Sequence, residues 1–129
     1  MLPKEVFEKI VDYTNVKIRS IQAKYSRDRD ARETDFAEMT AYIGILFLLG
    51  ECRANKSNSL DVWRKNGLGI EIFRLIMGVN RLKFLQQNIR FEDTSDPNRA
   101  QRKETDKLYC VRDLFETFVN YCITNYSHC

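Results

Sequence analysis

Proline and glycine are scarce in this sequence, two and five in 129 residues. That excludes collagen-like and low-complexity chains, which need those residues in bulk. Cysteine is sparse as well. Cys52, Cys110, Cys122 and Cys129 include no CxxC pair, which argues against a disulfide-dense scaffold and against a zinc site built from tight ligand pairs. The one histidine, His128, stands beside the end of the sequence. The longest apolar run, Ala41 to Leu49, is well short of the ~18 residues that span a bilayer. Met1-Leu2-Pro3-Lys4-Glu5 carries no hydrophobic signal core. The expectation is therefore reduced thiols in an intracellular compartment, with no membrane partner.

Chemistry-bearing motifs are missing too. The sequence contains no GxSxG, no P-loop, no dinucleotide fingerprint and no HExxH. Its acidic residues fall in polar stretches or on outward helix faces, with no spacing that would gather them around a pair of ions. The reading is no catalytic residue, no metal, no cofactor and no small-molecule substrate.

What is present is helical periodicity. Phe7, Ile10, Val11, Thr14, Ile18, Ile21 and Tyr25 recur at steps of three and four on a first helix that starts near Pro3. The stretch 26–33 is charge-rich and reads as a connector or a solvated helix end. Asp35 is placed to cap a second helix, with Glu38 at the reciprocal capping-box position. The run 41–49 is apolar all round, so that helix is expected to be central and covered by others. Ser59 could cap a short helix with Leu60, Val62 and Trp63, and a fourth helix holds Ile70, Phe73, Leu75, Ile76 and Met77. Gly78-Val79-Asn80 reads as a tight turn with Asn80 as N-cap of a fifth helix, whose inner stripe is Leu82, Leu85 and Ile89. Residues 92–104 read as a polar loop. The last helix carries Leu108, Val111, Leu114, Phe115, Phe118, Val119, Cys122, Ile123 and Tyr126 on one face. The fold class expected is all-α, a single domain over residues 1–129 with about six helices and no sheet.

Charge is uneven behind the net +3. Residues 53–91 hold 8 basic against 2 acidic side chains, while residues 34–52 and 92–129 are net acidic. Within the basic block, Lys83, Gln86, Gln87 and Arg90 fall at i, i+3, i+4 and i+7, opposite the apolar stripe of the fifth helix. Long donors on one exposed stripe reach phosphates, and glutamine can also read adenine edges. Together with Arg53, Lys56, Arg64, Lys65 and Arg81 they form a candidate surface for double-stranded DNA, in the outline of a helix-turn-helix. An ordinary solvated face is the competing reading.

The order of these motifs resembles the piggyBac family of cut-and-paste DNA transposases and their domesticated descendants. Thr14-Asn15 after an amphipathic helix looks like the family's entry helix. Glu38 followed by Tyr42-Ile43-Gly44-Ile45-Leu46 is similar to its aromatic-Ile-Gly-Ile-Leu helix, and Trp63 sits where the family often has an aromatic. Met77 to Leu85, continuing through Ile89-Arg90-Phe91-Glu92-Asp93, resembles its Met-Ser-Arg-x-Arg-Phe block and Leu-Arg-Phe-x-Asp ending, with Gly78-Val79 in place of Ser-Arg. Asp106 to Phe115, running on to Tyr126, is similar to the stretch that leads into the catalytic domain.

The resemblance implies a nuclear DNA-binding and dimerisation region preceding an RNase H-like core with three metal-binding aspartates. In the family the first of those follows a Tyr-x-Pro-Gly segment. Here the residues are Tyr126-Ser127-His128-Cys129, so no catalytic residue carries over and the chain is expected to be a non-catalytic, truncated copy. A segment returning after the family's catalytic core completes its helical region. The resemblance thus implies a helix 41–49 or a last helix short of cover, and with it a homodimer or a chain of marginal stability. The alternative is a domesticated helical protein-interaction module that no longer binds DNA.

Overall fold

The fold follows from which apolar stripes find a partner. A computed structural model describes residues 3–52, 59–65 and 69–126. Among them are seven α-helices and two 3-10 turns and no strand, so the all-α reading holds. Helix α1 spans Lys4–Ile21 and follows Pro3, where a proline costs little. A strap over residues 22–34 contains the turns Gln22–Lys24 and Asp28–Ala31. The remaining helices are α2 (Phe36–Glu51), α3 (Ser59–Val62), α4 (Glu71–Ile76), α5 (Val79–Asn88), α6 (Arg99–Thr105) and α7 (Arg112–Tyr126). Helix α1 packs against α2 and α5, and α2 against α4.

The core is one cluster. Val6, Ile10, Val11 and Ile18 of α1 meet Met39, Tyr42 and Ile45 of α2 and Leu82, Phe84 and Leu85 of α5. Trp63, Phe73 and Met77 extend it. The Trp63 indole N–H donates to the Met77 carbonyl at 2.8 Å, which supplies the polar partner a buried indole needs.

Two polar side chains of α1 hold the connections. The Asn15 amide pairs with the Thr34 backbone in both directions, donating to its carbonyl at 2.9 Å and accepting from its N–H at 2.8 Å. Beside it, the Thr14 hydroxyl oxygen accepts from the Arg90 N–H at 3.2 Å. Burying the Thr34 peptide without Asn15 would leave a donor and an acceptor unpaired, at a cost of about 1–3 kcal/mol. The Thr14-Asn15 pair therefore anchors the strap and the end of α5 to α1.

Several sequence expectations are corrected. Residues 92–104 are not all loop, because α6 occupies 99–105. That helix is short and polar, with no buried residue, so it carries no apolar period to be read. Helix α5 starts at Val79 with Gly78 as N-cap, which puts Asn80 inside the first turn. Ser59 is the first residue of α3, and α7 starts at Arg112, so Cys110 lies ahead of it. Helix α2 is not covered all round. Only Met39, Tyr42 and Ile45 are buried, while Phe47 is 72% exposed. The apolar stripe of α7 is likewise open, with no buried residue and Phe115 59% exposed.

Candidate nucleic-acid interface

Glu38 sits at the hinge of the candidate surface. The N-cap of α2 forms as read, with the Asp35 carboxylate accepting from the Glu38 N–H at 2.7 Å. The reciprocal half of the box does not, because the Glu38 carboxylate turns to arginines. It accepts from Arg81 Nη2 at 2.7 Å and Nε at 2.9 Å, and from Arg32 Nη2 at 3.0 Å. Arg81 also donates to the carbonyls of Arg32 and Glu33 at 3.0 and 3.2 Å. Its guanidinium lies 5.1 Å above the Phe84 ring. Burial alone would raise the Glu38 pKa. The Arg81 hydrogen bonds and the charges of Arg81 and Arg32 outweigh it and hold the carboxyl below its ordinary value.

Around this clamp a cleft of about 750 Å³ opens between the strap and α5. Arg29, Arg32, Arg81 and Lys83 line it against a single carboxylate, Asp30, together with Tyr25, Phe84 and Gln87. The Tyr25 and Phe84 rings meet edge to face with centroids 5.6 Å apart. Phe84 is buried, so the floor is fixed by the core.

The nine sequence-derived DNA-contact candidates divide. Lys83, Gln86 and Gln87 are exposed on α5, opposite buried Leu82 and Leu85. Arg90 lies past the end of that helix and is half-buried, its guanidinium donating to the carbonyls of Ile89 and Gln87 at 2.7 and 3.3 Å. Arg81 is taken up by Glu38. Arg64 and Lys65 are exposed after α3, with Arg64 paired to Asp61 at 2.8 Å. Arg53 and Lys56 lie outside the described residues. Arg29 and Arg32 escaped the sequence reading. They fall outside the basic block among Asp28, Asp30 and Glu33, and local composition gives no sign that α5 folds back beside them.

Other carboxylates are also bonded to arginine. Glu92 accepts from Arg99 and Asp106 from Arg112, each at 2.8 Å, and Asp96 pairs with Arg102. Two hydrogen bonds from Arg112 help hold the Asp106 carboxyl down at about 2. Among the described residues no group of three or more His, Cys, Asp or Glu could hold a metal ion, and no helix is long and apolar enough to cross a membrane. Cys52, Cys110 and Cys122 are free thiols.

A helical scaffold with a cation-lined cleft and open apolar faces is thus on hand, and comparison gives its lineage. Residues 1–128 match the family described as Transposase IS4. The chain belongs to that transposase family. No curated protein and no solved structure matches it.

Proposed function

We propose that this chain is a DNA-binding and dimerisation module of piggyBac-type descent, acting in the nucleus by binding and not by cutting. The transposase family match and the motif order from Glu38 to Asp113 support that descent. One observation carries the DNA reading. Lys83, Gln86 and Gln87 stand free on a helix whose other side is locked into the core by Leu82, Phe84 and Leu85. Such a helix presents its donors without an ordering cost in its own backbone.

The test is a fluorescence-anisotropy titration of labelled duplex DNA at salt from about 50 to 200 mM. Affinity should fall with a log–log slope of roughly −0.9 per phosphate contacted. No binding at the low end would replace this reading with a second, a protein-interaction module without DNA contact. The open apolar faces of α2 and α7 are the observation that favours that second reading.

A further inference from the structure

We infer that the cleft between the strap and α5 holds the phosphodiester backbone of duplex DNA, with Arg29 and Arg32 on one wall and Lys83 and Gln87 on the other. The assignment rests on the DNA-binding reading and adds a second element to it.

Three features point there. First, the charge is concentrated. Four cations line a space of about 750 Å³; set against Asp30 and the Glu38 carboxylate that holds Arg81 and Arg32, two positive charges remain in excess, so the potential inside favours an anion. Second, the cations have unequal freedom. Arg81 is fixed, its side chain only 13% exposed and bonded to Glu38. Arg29 is 77% exposed and holds only a loose pair with its neighbour Asp30 at 3.7 Å. An exposed pair of that kind is worth little and yields readily to a phosphate. Among the described residues no carboxylate pairs with Lys83, which is exposed on the facing wall. Third, the floor is rigid. Tyr25, Phe84 and the Arg81–Glu38 clamp fix the spacing of the two walls, so mobile donors stand on a preset frame. Arg81 then acts as a positioning residue, holding the strap against α5 while Arg29 and Lys83 make the contacts.

The experiment compares wild type with Arg29→Ala, Arg29→Lys, the double variant Arg29→Ala/Lys83→Ala, and Lys9→Ala as an exposed cation outside the cleft. Each is titrated with labelled duplex over the same salt range. Arg29→Ala should lower the salt slope by about one and the double variant by about two. Arg29→Lys should restore it, and Lys9→Ala should leave it unchanged. Because the Arg29 side chain is exposed, the thermal midpoint of Arg29→Ala should equal that of wild type. Wild-type binding with an unaltered slope in Arg29→Ala would overturn the cleft assignment while the DNA reading stands. Absence of wild-type binding would remove both. Poly-glutamate competing as well as duplex at matched charge would also overturn the assignment, because a phosphodiester backbone would no longer be what the walls select.

Discussion

Glu38 ties three parts of the chain together through one carboxylate, and that gives the fold a pH signature. Its folded pKa lies below the ordinary 4.5, against the opposing effect of burial, because Arg81 and Arg32 favour the charged form. A carboxyl depressed in this way lends stability that is fully present above the unfolded pKa. That stability is lost as pH falls through the folded value. The thermal midpoint of wild type should therefore drop as pH is lowered below about 4.5, measured by circular dichroism. Glu38→Gln should start lower at pH 7 and show a flatter profile across that window. Parallel profiles for the two proteins would show that this carboxyl is not linked to folding. Asp106 is held down at about 2, but solvent reaches both it and Arg112 and screens their pairing.

Among the elements, the short helix α3 depends on a glycine for its closure. A Cβ on Gly69 would collide with the Arg64 carbonyl oxygen and lie 2.8 Å from that of Val62. The same approach lets the Ile70 N–H donate to the Val62 carbonyl at 3.0 Å. Both obstacles are backbone, so Gly69→Ala must push the loop off α3 and loosen Trp63. The expected loss is about 1–3 kcal/mol in urea unfolding, and a midpoint equal to wild type would refute the close approach. Nothing in the local sequence pattern around Gly69 announces this close approach. The elements that were legible share one property, a periodic apolar stripe. The α1 residues Ile10, Val11, Thr14 and Ile18 are buried as the spacing requires, as are Leu82 and Leu85 on α5. Helix α6 has no such stripe, so periodicity gives no sign of it. For α2 and α7 the pattern named the apolar faces correctly but could not say that part of each, Phe47 on α2 and Phe115, Phe118 and Ile123 on α7, stays exposed. On the candidate surface, Lys83 and Gln87 were legible from α5 alone. Arg29 was not, because it meets them only through the tertiary clamp on Glu38.

On the scale of the whole molecule, many large apolar side chains stay exposed. Phe7, Ile43, Phe47, Leu114, Phe115 and Phe118 line a groove of about 700 Å³ between α1, α2 and α7. Monomeric proteins seldom leave a continuous apolar surface of this kind in water. Covering a phenylalanine is worth about 1.5–3 kcal/mol, so a few such side chains suffice to drive association. Sedimentation velocity at tens of micromolar should show a dimer, and Phe115→Glu should shift it to monomer with the helical signal retained. A stable wild-type monomer would count against dimerisation through this groove.

The clasp between Asn15 and Thr34, with the bond from Gln22 Nε2 to the Ala31 carbonyl at 3.1 Å, fastens the strap near both its ends. Its middle, residues 26–30, is left outside those fastenings and is exposed throughout. That portion can be rewritten, lengthened or nicked without untying either anchor. A lineage could retune what this edge of the protein grips while leaving the foundations that keep it folded undisturbed.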